Sequence, residues 1–414
     1  KYELTNHILT SDFPLGVRLS RKSPPPLLRR VAELQSRGGG IVSIYNEEVV
    51  IAALVKFGYP EKEACDFTND GCWETLIPGE TAFSYCPFDA LQVWQDVFFA
   101  DCNYPDFESL FAAYSAALRR RLEQVCAGCS GSFNAPDRAA PTPLLSLLMP
   151  SCIRSGRPYN RRGAKYNVVA LHAGGLPDVA NSFTAVRKLV YEDECCTLNE
   201  LRGILLRDFG GDERLRRMFE RCAVWYGNDD EAADAMLARV VSGFAAAAAE
   251  FRERDGLLHP AGISTFGREV EFAPSRLATP FGRRAHDYLS GNLAPSPGTD
   301  RNGPGAVVKS CCRNDFTQIP NGCPLDLRFD AAALASPPGV AMLEGLLKSF
   351  IGLGGYYLQV DAVSREMLVD AKAHPERYPN LAVRISGWSA RFATLETAWQ
   401  DMVIARSIQG AEAG

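Results

Sequence analysis

Apolar residues recur at intervals of three and four over most of the chain, which is the spacing of one helix face. Leu27, Val31 and Leu34 share such a face, and Asn46 is a good N-cap for a second helix. The pattern predicts further helices over residues 61–67, 88–99, 107–126, 339–351 and 365–373. It also predicts an almost wholly helical stretch over residues 141–255.

Short runs of β-branched and apolar residues interrupt the helical pattern. They predict strands over residues 41–45, 325–329, 356–361 and 382–385. Residues 256–324 fit neither pattern, because they are rich in Gly, Pro, Asn and Arg and show few periodic stretches. So long an irregular segment within a compact protein is usually functional.

The composition is that of an ordinary soluble globular protein. Of the 414 residues, 46% are hydrophobic and 22% are charged, and the net charge is −5. The chain has no pronounced basic run, so the sequence does not predict a nucleic-acid partner. The alanine-rich stretch at 243–249 is too short to span a membrane. Thirteen cysteines without a visible signal peptide predict reduced thiols and a cytoplasmic location. The five histidines show no ligand spacing, so we expect no bound metal.

Candidate chemistry begins at residues 69–74, Asn-Asp-Gly-Cys-Trp-Glu. In an extended or tight-loop backbone Cys72 and Glu74 point to the same side, so one pocket can receive the thiol and the carboxylate together. A thiol serves as nucleophile, metal ligand or one-electron centre, and a nearby carboxylate moves a proton. The alternative interpretation is a buried turn whose glutamate faces solvent.

Two distant stretches together resemble the glycyl radical enzymes. Those enzymes carry a central Gly-Cys-x-Glu loop, present here from Gly71 to Glu74. They also carry a C-terminal Arg-Val-x-Gly-Tyr-like loop, present here from Arg384 onwards with Ile385 and Trp388 as mild replacements. Further matches follow in order at residues 160–167, 226–230, 267–269, 295–304, 320–322 and 325–329. So many ordered motifs identify the chain as a member of this family.

The resemblance implies an α/β fold, namely half of a ten-stranded barrel surrounded by helices, with the cysteine and glycine loops inside. It implies a helix-rich barrel half with the cysteine loop over residues 1–265 and a glycyl radical domain over residues 266–414. Enzymes of this family are considerably longer. We therefore expect either a separate N-terminal-half subunit or a longer chain of which this sequence is a part, and also a homo-oligomer.

The resemblance also implies a cofactor and its partner. Gly387 would store a protein-derived radical that a separate AdoMet-radical activating enzyme installs, and Cys72 would carry the thiyl radical that attacks a small-molecule substrate. An α-carbon radical is delocalised between the flanking amide and carbonyl, and a residue without Cβ can flatten around it. Without the surrounding motif, Gly387 would be interpreted as a turn glycine between a strand and a helix.

Glu74 selects the reaction class. Family members with Gly-Cys-x-Glu are typically eliminating enzymes, so the resemblance implies a lyase or dehydratase with Glu74 as general base. Diol dehydratases of the family carry an Asp fourteen residues after the cysteine, where this chain has Cys86. That difference argues against a simple glycerol or propanediol dehydratase. C–N, C–S and C–C lyases stay open, as does a Glu74 that merely orients the loop.

Two other functions also stay open. Trp73, Tyr85 and Phe88 are candidate substrate-binding residues, and they suggest an arylacetate-type radical decarboxylase. Aromatic clusters are more often core, however. The second is a spare-part subunit that donates a radical domain to a damaged partner, but such a subunit needs only the C-terminal loop and neither Cys72 nor Glu74.

Overall fold

The computed structural model of the protein describes residues 15–38, 42–129 and 142–406. The strands are β1 (Leu15–Leu19), β2 (Val42–Asn46), β3 (Thr68–Asn69), β4 (Thr75–Leu76), β5 (Thr81–Asp89), β6 (Tyr166–Gly174), β7 (Glu253–Arg254), β8 (Leu257–Leu258), β9 (Ala261–Ile263), β10 (Pro324–Phe329), β11 (Tyr357–Ala362), β12 (Ala382–Arg384) and β13 (Ser389–Arg391).

The helices are α1 (Pro25–Gln35), α2 (Glu47–Phe57), α3 (Glu61–Ala64), α4 (Ala90–Phe98), α5 (Phe107–Cys129), α6 (Pro143–Leu147), α7 (Pro150–Ser155), α8 (Leu176–Val186), α9 (Leu198–Leu206), α10 (Glu213–Glu220), α11 (Glu231–Ala249), α12 (Glu269–Phe272), α13 (Gly303–Cys311), α14 (Ala331–Ala335), α15 (Pro337–Leu353), α16 (Arg365–Ala373) and α17 (Thr397–Arg406).

One sheet joins the beginning of the described chain to its later part, in the strand order β1-β2-β11-β10. β1 is parallel to β2 and β10 to β11, while β11 runs antiparallel to β2, with Tyr357 opposite Tyr45. The predicted strands at 41–45, 325–329 and 356–361 lie here with shifts of about one residue at their ends. Residues before and after position 266 therefore share one sheet.

The second sheet has the order β5-β6-β8-β7, with β9 also paired to β6. β5 and β6 are parallel from Thr81 opposite Tyr166 to Asp89 opposite Gly174. The predicted helical stretch over residues 141–255 is wrong at β6. A strand of a parallel sheet that is buried on both faces gives a continuous apolar run, and such a run cannot be told from a buried helix by its period.

Helices α4, α5, α8 and α11 pack against one another and hold much of the main apolar core. Phe183 of α8 lies 6.2 Å from Trp94 of α4 and 5.3 Å from Tyr114 of α5, measured between ring centroids. Helix α11 is long and apolar enough to cross a membrane by length and composition, but 56% of its apolar window is buried inside the protein. Such burial is typical of a core helix.

A smaller apolar cluster surrounds the C-terminal hairpin. β12 and β13 pair antiparallel with Arg384 opposite Ser389, which places residues 385–388 at the tip of the hairpin. The cluster consists of Val363, Leu368, Ala371, Val383, Ile385, Phe392, Met402 and Val403. Helices α16 and α17 contribute to it, so the tip of the hairpin is supported from two sides.

Three local predictions differ from the structure. Asn46 precedes α2 but does not cap it with its side chain: Nδ2 donates to the Ile351 carbonyl oxygen at 3.1 Å, and Oδ1 accepts no hydrogen bond from a described residue. The helix predicted over 61–67 ends at Ala64. β5 continues to Asp89, whose carboxylate accepts a hydrogen bond from the Leu91 N–H and so starts α4 two residues later than predicted.

Candidate active site

Cys72 lies at the tip of a tight hairpin formed by β3 and β4. The Asp70 N–H donates to the Glu74 carbonyl oxygen at 2.9 Å and closes the loop. Gly71 adopts a φ of +124°, which a residue without Cβ reaches without steric cost. The Tyr45 hydroxyl donates to the Cys72 carbonyl oxygen at 3.1 Å. These contacts fix the backbone on both sides of the thiol.

Gly387 lies at the tip of the β12–β13 hairpin. The Ile385 N–H donates to the Trp388 carbonyl oxygen at 2.9 Å, and Gly387 adopts a φ of +78°. Gly387 is buried, whereas Trp388 is 40% exposed and packs edge-on against Trp399 with ring centroids 5.8 Å apart. The hairpin therefore turns its glycine inwards and the neighbouring indole outwards.

The two hairpin tips are in direct contact, although no local sequence feature links them. A Cβ built on Gly387 would lie 2.3 Å from Cys72 Cβ and 2.4 Å from Cζ3 of Trp73. Only a glycine fits there, since real Cβ atoms do not approach other carbons so closely. The prediction that the cysteine and glycine loops meet inside the fold is confirmed.

Glu74 is 2% exposed and lies beside the thiol. Its Oε2 accepts a hydrogen bond from the Trp73 N–H at 3.1 Å. Burial raises the pKa of the Glu74 carboxyl to about 7, and the nearby Asp70 carboxylate adds to the rise. A carboxyl that titrates near neutral pH is suited to accept and return protons.

The Cys72 thiol is half-buried. Burial and the negative charge of Glu74 raise its pKa to about 12. The group is therefore an S–H at neutral pH. This is the opposite of a nucleophilic cysteine, whose surroundings lower the thiol pKa.

Aromatic rings line one side of the site. Tyr85 of β5 stacks on Phe266 with ring centroids 4.4 Å apart, and His172 of β6 lies 4.9 Å from Phe266. Tyr85 is 41% exposed, and burial followed by the charge of Glu74 raises the pKa of its phenol. Phe266 adopts a φ of +54°, a strained conformation for an aromatic residue that is typical of functional sites.

The structure does not bring all three predicted aromatic residues to this side. Phe88 is buried against Phe244 of α11, with ring centroids 6.1 Å apart. Successive side chains of a strand alternate between its faces, so Phe88 points away from the face that carries Tyr85. Trp73 is fully buried and packs beneath Gly387.

The same alternation places Cys86 on the face of β5 opposite Tyr85. Its side chain packs with the apolar cluster of Ala82, Met149 and Cys152 rather than with the aromatic wall. The side chain that β5 presents next to Cys72 and Glu74 is therefore Tyr85. Cys86 is also disulfide-bonded, which differs from the expectation of reduced thiols.

His172 is connected to the cysteine hairpin through Asn321. The Asn321 side chain donates from Nδ2 to the Thr75 carbonyl oxygen at 3.1 Å, so its Oδ1 faces His172 Nε2 at 2.8 Å. Nε2 must then carry the hydrogen. Burial lowers the pKa of His172 to about 4, which keeps the imidazole neutral. Within the described residues, no group of three or more His, Cys, Asp or Glu side chains is arranged to hold a metal ion.

The backbone that precedes Gly387 is held by side chains to which the sequence assigns no role. Arg328 donates from Nη2 to the residue 384 carbonyl oxygen at 3.4 Å, and Arg406 donates from Nη1 to the residue 385 carbonyl oxygen at 2.5 Å. The Asn292 side chain lies 3.2 Å from the hydroxyl of Ser386. Phe266 had a nearby signal in the Gly-Arg-Glu motif, but Asn292 and Arg406 had none.

Comparison with known proteins identifies the family to which both loops belong. The family model "Pyruvate formate lyase-like" matches residues 4–273 and includes Cys72 and Glu74. The model "Glycine radical" matches residues 289–393 and includes Gly387. This glycine radical domain indicates a protein-derived glycyl radical as the cofactor.

Individual relatives extend the likeness over nearly the whole chain. Trans-4-hydroxy-L-proline dehydratase of Clostridioides difficile is 26% identical over 95% of this chain and 52% of its own length. The probable dehydratase YbiW of Escherichia coli is 30% identical over 89% of this chain and 49% of its own. The glycerol-bound B12-independent glycerol dehydratase from Clostridium butyricum superposes with a TM-score of 0.91 at 27% identity, covering 98% of this chain and 53% of that structure.

This chain spans about half the length of these proteins. Within that span it has both the Gly-Cys-x-Glu loop and the C-terminal glycine loop, and they are in contact. The chain belongs to the pyruvate formate lyase-like family of glycyl radical enzymes.

Proposed function

We propose that this chain supplies the radical machinery of a glycyl radical lyase or dehydratase, with Gly387 as stored radical, Cys72 as thiyl radical and Glu74 as general base. The contact between Gly387 and the Cys72 side chain carries the proposal. Hydrogen-atom transfer needs reacting atoms about 3–3.5 Å apart, and this contact supports such an approach. The activity belongs to an enzyme completed by a second half, either a separate subunit or another part of the same chain.

The first proposed step moves one hydrogen atom between the hairpins. The Gly387 Cα radical takes the hydrogen of the Cys72 S–H group, which leaves an ordinary glycine and a radical on Sγ. A thiolate has no hydrogen to give, so a thiol pKa of about 12 favours this chemistry over nucleophilic attack. The step is close to thermoneutral, so the main task of the protein is placement.

The second proposed step uses Glu74. The Cys72 thiyl radical takes a hydrogen atom from a substrate carbon that bears a hydroxyl group, and the Glu74 carboxylate takes the hydroxyl proton. The resulting ketyl radical expels the neighbouring leaving group together with its bonding electron pair. The product radical then takes a hydrogen atom back from Cys72. A pKa of about 7 allows Glu74 to accept that proton and release it again near neutral pH.

A second candidate is a radical decarboxylase acting on an arylacetate-type substrate. The stack of Tyr85 on Phe266 favours it, because aromatic faces accommodate an aromatic substrate. The buried Glu74 favours elimination instead, since a decarboxylation has no hydroxyl proton for this carboxylate to remove. Product analysis separates the two, because one releases carbon dioxide and the other releases the leaving group.

The test is electron paramagnetic resonance of the complete enzyme after anaerobic treatment with an AdoMet-radical activating enzyme. We expect a carbon-centred doublet, split by the remaining α-hydrogen of Gly387. In D2O the doublet should collapse to a singlet, because Cys72 exchanges its thiol hydrogen with solvent and passes deuterium to Gly387.

Cys72→Ser provides the control for that experiment. The doublet should persist in this variant without collapsing in D2O, since a hydroxyl holds its hydrogen too strongly for a glycyl radical to remove. Air should cut the activated wild-type chain next to Ser386. An activated chain that stays intact in air, or a doublet absent from the wild type, would contradict the proposal.

A further inference from the structure

A buried ion pair lies directly behind the glycyl hairpin. Glu269, at the first position of α12, is fully buried, and Arg406, at the last position of α17, is 8% exposed. The Arg406 guanidinium binds the Glu269 carboxylate through Nη2 and donates through Nη1 to the Ile385 carbonyl oxygen at 2.5 Å. One planar side chain thus connects a carboxylate to the backbone two residues before Gly387.

The fold makes room for this pair. A Cβ built on Gly291 would lie 3.1 Å from Glu269 Oε1 and 3.2 Å from Arg406 Cζ, so a larger residue would press on both partners. Glu269 Oε2 and Arg406 Nε are buried and have no hydrogen-bond partner within the described residues. A buried pair that leaves polar atoms unsatisfied is an inefficient source of stability. The geometry of the pair is better explained if the pair positions the backbone of the glycyl hairpin.

The segment that carries Glu269 also packs against the hairpin. A Cβ built on Gly267 would lie 2.8 Å from the Trp399 ring and 3.2 Å from Cγ2 of Ile385. One residue earlier, Phe266 lies 5.2 Å from Trp73, measured between ring centroids. Residues 266–269 therefore contact both Ile385, which precedes Gly387, and Trp73, which packs beneath it.

We propose that Glu269 and Arg406 form a latch that holds the Gly387 backbone at hydrogen-transfer distance from Cys72. Arg406 is a positioning residue, since it acts through the Ile385 carbonyl and touches no reacting atom. The inference rests on the proposed function. Transfer between two nearly isoenergetic radicals depends mainly on distance, and a misplacement of about 1 Å lowers the rate about 100-fold.

The decisive variant is Arg406→Lys in the complete activated enzyme. A single ammonium keeps the positive charge but lacks the fork that reaches Glu269 and the Ile385 carbonyl at fixed angles. We expect the glycyl doublet to form with its usual yield, while its collapse in D2O slows about 10- to 100-fold. kcat should fall with the exchange rate, and KM should stay unchanged because the substrate contacts are intact.

Arg202→Lys is the matched control. Arg202 is equally buried and donates to the Phe98 and Cys102 carbonyl oxygens, at 2.6 and 2.8 Å, far from the glycyl hairpin in sequence. It should lower the thermal unfolding temperature comparably and leave the exchange rate at the wild-type value. If Arg406→Lys does not fold, Glu269→Gln removes the charge of the other partner with almost no change of shape.

The outcomes separate the latch from the function on which it rests. A wild-type enzyme without a doublet, or without collapse in D2O, overturns the radical function itself. A wild-type enzyme that exchanges normally, together with Arg406→Lys or Glu269→Gln exchanging within about twofold of it, overturns the latch alone. Slow exchange in both latch variants and normal exchange in Arg202→Lys supports the latch.

Discussion

The two hairpins that meet in the site are built alike and held differently. One backbone hydrogen bond of 2.9 Å closes each of them. In the glycine hairpin, each of residues 384–386 also contacts a side chain from elsewhere in the fold, and residue 387 is buried. In the cysteine hairpin, residues 70 and 71 are exposed, and the Asp70 carboxylate makes no hydrogen bond or ion pair with any described residue. The Tyr45 hydroxyl also holds the Cys72 carbonyl oxygen, so both hairpins have support from elsewhere in the fold. The glycine side is buried and held at three successive residues, whereas the tip of the cysteine side is exposed.

Under the proposed function, this difference matches two separate demands. A stored radical must stay away from solvent and oxygen, which needs a buried and immobile backbone. A thiyl radical must reach a substrate and then return to the glycine, which needs an accessible face. Each demand predicts a different response to substitution.

The largest effect should come from Gly387→Ala. The added Cβ would lie 2.3 Å from Cys72 Cβ at a φ of +78°, and a radical at a Cβ-bearing carbon cannot flatten there. We expect no doublet, no turnover and a lower thermal unfolding temperature. Resonance spectra of the activated protein and a melting curve measure both consequences.

Gly79→Ala separates the loss of the radical from simple backbone strain. Gly79 also has a positive φ, +69°, but a Cβ there would meet nothing within 4 Å. It should lose about 1 kcal/mol of stability and keep the radical. A doublet of normal intensity in Gly387→Ala would show that the radical lies on another residue. The proposed division of roles between the two hairpins would then be wrong.

The next largest effect concerns the open side. Glu74→Gln should keep the doublet and its collapse in D2O, since neither involves the carboxylate, while the turnover rate falls by about 10²–10⁴. The pH profile supplies a second check. Because the pKa of Glu74 is raised to about 7, its basic form increases as the pH rises through that value. The wild-type kcat/KM should therefore rise up to about pH 7, and this limb should be missing in the variant.

A Glu74→Gln enzyme with near wild-type turnover would make the carboxylate structural. The decarboxylase would then become the better explanation of the site, because that reaction does not need a base at this position. Loss of the doublet in this variant would instead show that Glu74 supports the glycine side.

The sequence predicts the two loops that meet, but it does not predict the side chains that support them, for a physical reason. Gly71 to Glu74 and the segment around Gly387 are short contiguous motifs, and under the proposed function chemistry dictates their residue types. Asn292 contacts the Ser386 hydroxyl, and Arg406 contacts Glu269 and the Ile385 carbonyl oxygen. All of these contacts join residues far apart in sequence, so neither residue leaves a local pattern. The contact between the two loops is a property of the whole fold, and only the family resemblance indicated it in advance.

Errors in the fold follow from the limits of periodicity. β6 is apolar on both faces and was indistinguishable from a buried helix. The sequence predicts no strand at β5 and a helix from Phe88, whereas the structure has a strand through Asp89, and that difference matters for function. Residues three apart share a helix face, whereas on a strand they lie on opposite faces. Closeness in sequence groups Phe88 with Tyr85, and the strand places them on opposite faces.

The smallest expected effect comes from Tyr85→Phe, which tests the separation of Tyr85 from Phe88. The Tyr85 hydroxyl makes no hydrogen bond with any described residue, and its ring is 41% exposed beside Cys72 and Glu74. Tyr85→Phe keeps the stack on Phe266 and removes one polar contact available to a substrate. A hydrogen bond contributes about 1 kcal/mol, so KM should rise about fivefold with little change in stability.

Phe88→Leu is the counterpart of that change on the other face of β5. It removes packing against Phe244 of α11 and should lower the free energy of unfolding by about 1 kcal/mol or more, with KM unchanged. Steady-state kinetics and thermal unfolding of both variants form a crossed design. If Phe88→Leu raised KM while Tyr85→Phe did not, the substrate would lie on the helix side of β5. The open face of the cysteine hairpin would then not be the entrance to the site.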